Sequence, residues 1–431
     1  MTKSFFRSKK LWLMILFTAI FLTIWRLGYF IHLPFIDVSL ITAGIDKNNL
    51  FGFLDIYSGG ALSNFSVLAL GISPYITSSI VIQLLQMDII PKLKEWSEEG
   101  PSGKEKINQV TKYLALFLAF VQGLAISIGV SAQYGDILFE GIGNVNAFTY
   151  VYLALVITAG TAFCLWLAEK ITKRGIGNGS SLLIVAGIVA SFPPMINDLV
   201  KTFITAEGVN VGDTFVFIGV ILLLILIIVG IVFMEGAQRK IPIQYANRPA
   251  AAAFRGKSDS NIPIKLNSAS VIPVIFASTL MSIPTTIANF LDTGSQAYYW
   301  LVEIFSSTKP IGFAIYIILI YTFSFFYSFL QMNPDNMAEN LQKQNAYIPG
   351  IRPGDETASY ISRVLFKITM VGATYLTLVA VTPIVMTWIF GLPRSIQIGG
   401  TGLIIVVGVA LETAKQLKTD IEEKQYRGFL E

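Results

Sequence analysis

Charge is scarce in this chain. Of 431 residues, 13% are Asp, Glu, Lys or Arg and 54% are hydrophobic, and the mean hydropathy is +0.64. Soluble domains carry about 25% charged residues, so the composition excludes a soluble globular protein and reads as an all-α polytopic membrane protein. Histidine and cysteine are scarcer still. The single His, His32, excludes a histidine-based metal cluster, and the single Cys, Cys164, excludes an intrachain disulfide framework. Carboxylates are missing from the middle of every long apolar run, since Glu169, Glu235 and Glu412 all sit near run ends. Proton- and cation-coupled carriers usually need ionisable groups at that depth, which weakens the alternative of a small-solute secondary transporter. An intramembrane protease would need a serine–base pair or two membrane carboxylates, and no glycine-rich phosphate loop precedes a Lys-Ser/Thr. No enzyme activity, catalytic residue, metal or cofactor is expected, and any energy source must lie in a partner.

What is present is a series of apolar segments. Ten runs of about 20 residues each fall near 11–31, 65–87, 113–132, 149–169, 181–197, 214–234, 269–291, 311–331, 365–390 and 399–416, the fifth reading as short. Met1–Lys10 is basic and the following run reaches Ile31 without a small-residue cleavage site, so a retained first span is expected. With the N-terminus in the cytoplasm, all but five of the 31 Lys and Arg fall in cytoplasmic segments. The exceptions are Lys47, Lys201, Lys309 and Arg394 outside and Arg26 within the first span. That asymmetry places both termini in the cytoplasm. Arg26 is left to snorkel outward or to pair with a neighbour.

Residues 57–87 organise the rest. The stretch is apolar enough for a bilayer yet broken by Gly59-Gly60, Gly71 and Pro74, and it carries Ser73, Thr77, Ser78, Ser79 and Gln83. Ser63-Asn64 offers an N-cap for a restarted helix. Irregular backbone at membrane depth survives only inside protein or beside a water-filled cavity, so the stretch is expected to line a cavity; a kinked packing helix is the plainer alternative. Leu50–Ile56 fits a half-helix dipping back into the membrane. A second break, Val271-Ile-Pro273-Val-Ile-Phe-Ala-Ser278, occupies the matching position five spans later. Five spans per half forces opposite orientations, and paired breaks in inverted repeats point to a pathway at their interface. The halves divide as 1–200 and 201–431. Ile72 and Ile76 share one face of the broken second span, with Ile184, Ile275 and Ile405 just after the other breaks. Branched side chains converging there would seal a pore by dewetting, although each alone also fits a bundle core.

The two long cytoplasmic loops, 235–268 and 332–367, carry ordered local chemistry. Arg239-Lys240 leads into Ile-Pro-Ile-Gln-Tyr245, an extended pattern. Asn333-Pro-Asp through Lys343 reads as a capped helix, and Ile348-Pro-Gly-Ile-Arg-Pro-Gly354 as a rigid turn with Arg352 at its tip. Contact with anionic lipids accounts for the charge but not for the turn.

Taken in order, Arg26-Leu-Gly, Ser58-Gly-Gly-Ala-Leu, Leu70-Gly-Ile-Ser-Pro-Tyr-Ile, Arg174-Gly-Ile-Gly-Asn-Gly, Val271-Ile-Pro-Val-Ile-Phe-Ala-Ser, Asn333-Pro-Asp, Ile348-Pro-Gly-Ile-Arg-Pro-Gly and Gly399-Gly-Thr resemble the SecY family across essentially the whole chain. The resemblance implies a protein-conducting channel in a bacterial plasma membrane, passing unfolded polypeptides and releasing transmembrane segments sideways. It implies an hourglass pore between two five-helix halves, with a plug at about 46–64 and a pore ring of Ile72, Ile76, Ser180, Ile184, Ile275 and Ile405. Ser180 departs from the apolar residue usual there, which leaves one ring position small and polar. The lateral gate maps to the second, third, seventh and eighth spans, with Thr77, Gln83, Ser278 and Ile283 as its facing residues. Arg352, Arg239, Lys240 and Lys343 would dock a ribosome or a SecA-like ATPase motor. Pro249-Ala-Ala-Ala-Ala-Phe254 stands where the family often has a basic pair. Further implied partners are SecE- and SecG-like small membrane subunits, signal peptides and unfolded preproteins. An accessory translocase with a restricted substrate set is the alternative within the family.

Overall fold

The computed structural model describes residues 9–36, 58–62, 64–86, 89–134, 146–205, 211–245, 260–288, 291, 295–307, 309–392 and 394–427. Helices α1 (Lys9–Gly28), α2 (Ser73–Leu85), α3 (Pro91–Glu98), α4 (Pro101–Tyr134), α5 (Ala147–Arg174) and α6 (Gly179–Val200) come first. A π-helical turn, Lys201–Thr205, precedes α7 (Val211–Gly236). Strands β1 (Gln238–Tyr245) and β2 (Ser260–Lys265) follow, then α8 (Ile272–Ala288), α9 (Gln296–Phe305), α10 (Pro310–Gln331) and α11 (Pro334–Lys343). Strand β3 (Ala346–Tyr347), α12 (Asp355–Phe390) and α13 (Arg394–Arg427) complete the chain order.

Among the described residues, 7 helices (α1, α4, α5, α6, α7, α10 and α12) are long and apolar enough to cross a membrane, and α2 and α8 are shorter apolar helices. The tenth apolar segment lies within α13. Each segment read from the sequence therefore falls on a helix, and the protein is a multi-pass membrane protein. At 34 and 36 residues, α4 and α12 run about 50 Å, well past a hydrocarbon core of about 30 Å. They therefore extend beyond the hydrocarbon core.

Two boundaries differ from expectation. The helix of the second segment does not restart at Ser63-Asn64. Ser63 lies outside the described residues, and residues 64–72 form turns around Ser66, which is bridged to His32, with Phe65 and Gly71 at positive φ. The helix begins only at Ser73, with Ile72 in the capping position and no side-chain cap. Pro74 sits in its first turn, where a missing N–H costs nothing, so it starts the helix instead of loosening it. The fifth segment is not short: α6 continues through Pro193-Pro194 to Val200 and into the π-helical turn. The half-helix expected at Leu50–Ile56 lies outside the described residues, as does all of the expected plug except 58–62 and 64.

Packing sorts the helices into two groups. One joins α1, α2, α4, α5 and α6; the other joins α7, α8, α10, α12 and α13. The groups meet where α6 packs on α13 and α2 on α8. The largest apolar cluster bridges them, with Ile72, Ile80, Leu183 and Ile188 from the first group and Val274, Phe276, Ile320, Leu376 and Ile404 from the second.

The described parts of the two long loops, 235–268 and 332–367, fold onto each other. The strand order is β2-β1-β3. Antiparallel pairs run from Gln238↔Lys265 to Ile243↔Ser260 on one side of β1, and Gln244↔Tyr347 and Tyr245↔Ala346 on the other. Each β1 residue is thus paired on one side only, and this lets the strand hold Pro242, which has no ladder donor. Ile241, Ile243 and Ile264 pack with Leu341, Ile348, Ile361 and Leu365 in a core of their own, standing on the N-terminal end of α12.

Candidate functional site

The six residues expected to form the ring come from four places in the chain. Ile72 precedes α2, with Ile76 one turn later. Ser180 and Ile184 lie on α6, Ile275 in the first turn of α8, and Ile405 inside α13. Ile72 (2% exposed), Ile184 (7%), Ile275 (9%) and Ile405 (1%) belong to the bridging cluster, and Ile76 packs against it half-buried. Ser180 differs. Asn178 caps α6, and its side-chain carbonyl accepts from the Ser180 backbone N–H at 3.0 Å and from the Ser180 hydroxyl at 2.6 Å. The small polar side chain is thereby tied back to the preceding turn.

Arg26 pairs with a neighbour. Its Nη1 donates to the Gly59 carbonyl at 2.8 Å, and its guanidinium lies over the Tyr29 ring at 4.2 Å. Gly59 has φ +70, and a Cβ there would press on the Trp25 ring and on the Gly187 backbone of α6. Only glycine fits this seat without strain. The segment leading from it is held too: Ala61 and Leu62 are fully buried, and Leu62 and Phe65 share a cluster with Ala119, Ile126, Leu153 and Ile157 of α4 and α5. Beside it, Leu33 donates to Phe65 at 2.7 Å and Val67 to Ile31 at 2.9 Å.

Along the α2–α8 seam, Thr77 is buried and leans to the Ser73 carbonyl at 3.4 Å. Gln83 Nε2 donates to Ser79 Oγ at 3.2 Å, while its Oε1 is buried with no hydrogen-bond partner. Ser278 donates to the Val274 carbonyl at 2.8 Å and lies 3.4 Å from the Tyr316 hydroxyl, which points it toward α10. Ile283, expected to face the seam, is exposed, unlike Thr77. Each side of the seam is braced from behind, on one side by Ser78 donating to the Thr111 carbonyl of α4 at 2.6 Å.

The layer formed by β1–β3 and α11 displays the expected basic residues. Arg239 and Lys240 are exposed on β1. Asn333 Oδ1 caps α11 by accepting from Asp335 and Asn336, and Lys343 near its end pairs with Glu339 at 2.7 Å. Gly350 and Gly354, both at positive φ, frame the turn that carries Arg352. The Arg352 side chain is 87% exposed and reaches Glu356 only at 3.9 Å.

One arrangement escaped the sequence reading. Glu235, at the end of α7, is buried, and its carboxylate accepts from Ser270 Oγ at 2.8 Å and Asn267 Nδ2 at 3.3 Å. Lys415 of α13 donates to its backbone carbonyl at 3.2 Å. Ser270 sits at φ +52 two residues before α8, so a buried carboxylate holds the strained entry of a seam helix. The sequence showed only a glutamate near a run end, because its partners lie 32 and 35 residues away.

Apolar residues delivered by both helix groups to one buried cluster, beside a broken second span, define a multi-pass membrane helix bundle built in two groups. The sequence matches the SecY family model over residues 66–414. It is 46% identical over 420 residues to protein translocase subunit SecY of Halalkalibacterium halodurans, covering 96% of each chain. A solved protein-conducting channel shares the fold with a TM-score of 0.63 at 20% identity, covering 95% of this chain and 92% of that one. Sec61 in the canine ribosome–channel complex from the endoplasmic reticulum does so at 0.61 and 19%, with the same coverage. The chain belongs to the SecY family and is a protein-conducting channel of the Sec translocon.

Proposed function

We propose that this channel passes unfolded secretory polypeptides through a ring of Ile72, Ile76, Ser180, Ile184, Ile275 and Ile405, and releases transmembrane segments sideways between α2 and α8. The reading rests above all on one observation: four of these isoleucines, from separate elements of both helix groups, reach a single buried cluster. Residues 1–200 and 201–431 then act as two halves that part at the α2–α8 seam. The buried, unpartnered Gln83 Oε1 suits a seam that must open reversibly, because an unsatisfied polar atom lowers the stability of the closed form. The segment rooted at Gly59 acts as the plug.

The work comes from outside the chain, and no residue of it is catalytic. A ribosome or a SecA-like ATPase docks on the β1–β3 layer, with Arg352 as leading contact and Arg239, Lys240 and Lys343 around it. The canine Sec61 relative in its ribosome complex supports the ribosome half of this assignment. SecE- and SecG-like subunits brace the halves in a bacterial plasma membrane, with both termini cytoplasmic and anionic lipids against the basic loops. The test is a photoreactive phenylalanine analogue at Ile184 or Ile405, with a preprotein stalled in transit by a folded C-terminal domain. Crosslinks to the preprotein from both positions, and none from lipid-facing Phe215, are expected. Labelling at Phe215 alone would overturn the ring.

A further inference from the structure

Between α8 and α10 runs α9, and no residue of this ten-residue helix is buried in the chain. Apart from Gln296 and Glu303, its sequence QAYYWLVEIF is apolar or aromatic. Tyr299 is 61% and Trp300 50% exposed, and their rings meet edge to face at 6.0 Å. Ser295 caps the helix by accepting from Tyr298, so α9 is a formed element that contacts both neighbouring helices. Left in water, such a surface is unfavourable in proportion to its apolar area. Its surroundings identify what covers it. Exposed apolar side chains of α8 (Leu280, Ile287) and of α10 (Ile311, Ile318) run up to the two ends of α9. At the same end of the bundle, Phe313 packs on Trp388 at 4.9 Å, with Ile389 and Phe390 exposed beside it. Trp and Tyr gather where membrane meets water. The carboxylate of Glu303 is paired with Lys309 at 3.3 Å, which leaves the helix without net charge.

We infer that α9 is an interfacial anchor, lying in the headgroup layer of the outer leaflet with Tyr299 and Trp300 immersed in it. Its partner is the lipid surface, recognised by aromatic and apolar immersion and not by headgroup charge. At 17 residues, α8 is about 25 Å long, shorter than the hydrocarbon core it crosses, so its outer end gains a fixed depth from the anchor. The anchor thereby limits how far α8 wanders at the α2–α8 seam. This second step rests on the gate reading proposed above; the depth of α9 does not.

The test uses the full chain in a Cys164→Ser background with Trp300→Cys carrying a nitroxide, reconstituted in phosphatidylcholine vesicles with and without phosphatidylglycerol. Collision with oxygen and with a water-soluble nickel chelate is expected to place the label at headgroup level in both lipids and at high salt. Free access to the chelate, or shielding from both reagents by another chain, would overturn the anchor; a depth that follows phosphatidylglycerol content would overturn recognition without charge. A second arm combines Tyr299→Ser and Trp300→Ser with Thr77→Cys and Ile283→Cys, and the rate of seam crosslinking is expected to fall at least about twofold. An unchanged rate with the label still at headgroup level would refute the tether alone. Tyr299→Phe with Trp300→Phe is expected to keep the original rate, and a loss equal to the serine pair would also count against immersion as the cause.

Discussion

Replacing Arg26 with Leu is expected to make the closed channel leak. The side chain holds the Gly59 carbonyl at 2.8 Å and lies over Tyr29 at 4.2 Å. A hydrogen bond from a charged group contributes about 1.5–3 kcal/mol, and the guanidinium–ring contact about 0.5–1 kcal/mol. Leucine keeps most of the volume and removes both. If the segment rooted at Gly59 must leave this seat when the pore opens, the closed form loses about 2 kcal/mol or more relative to the open one. At about 1.4 kcal/mol per factor of ten, the closed-to-open ratio falls roughly thirtyfold. Arg26→Lys retains a donor and a charge but not the flat stack, so its ratio falls only about two- to fivefold. Efflux of a small ion from proteoliposomes, without preprotein or motor, reads the open fraction directly. Gel-filtration profiles matching the parent would confirm that the variants are folded. Parental efflux from Arg26→Leu, or equal efflux from the Lys and Leu variants, would refute the assignment of Arg26 as the latch of the plug root.

Further expectations concern other parts of the assembly. Ser180→Ile exchanges the bond to Asn178 for an apolar ring position and is expected to lower ion leak; unchanged leak in vesicles would remove Ser180 from the ring. Arg352→Glu alters a side chain that is 87% exposed, so folding stability should hold while motor-driven translocation drops, and parental rates would take Arg352 out of the docking face. Glu235→Ala leaves Ser270 and Asn267 without their acceptor in a buried site, at a cost of about 2–4 kcal/mol. The detergent-solubilised protein should therefore aggregate at a lower temperature, with Glu235→Gln much closer to the parent because it can still accept both bonds. Equal losses in the Ala and Gln variants would show that the bonds are not what Glu235 provides.

The apolar spans were legible because length and hydropathy report membrane crossing directly, and ten segments fell on helices. Local chemistry was harder to read where a later residue overrode an earlier one. Ser63-Asn64 resembles a cap, but the left-handed Gly71 and the first-turn Pro74 move the start of α2 to Ser73. Strand β1 was visible in its alternating Ile241-Pro-Ile243; its partners were not, since β3 has two residues and β2 repeats the pattern only as Ile262-Pro-Ile264. The five isoleucines of the proposed ring were read from the breaks they lie beside, and Ser180 from the family resemblance alone. The partner of Arg26 was invisible in principle, because it is a backbone carbonyl 33 positions away and carries no residue signature. Glu235 was hidden for a related reason: its burial depends on a turn that two distant polar side chains complete.

The most direct test of the account is the seam itself. Thr77→Cys and Ile283→Cys, in a Cys164→Ser background in native membranes, would be joined by a bifunctional thiol reagent while secretion of a signal-bearing preprotein is followed. The crosslink is expected to form across α2 and α8 and to block secretion, and reduction of a cleavable linker is expected to restore it. A crosslink that forms in full while secretion continues at the parental rate would contradict the gate.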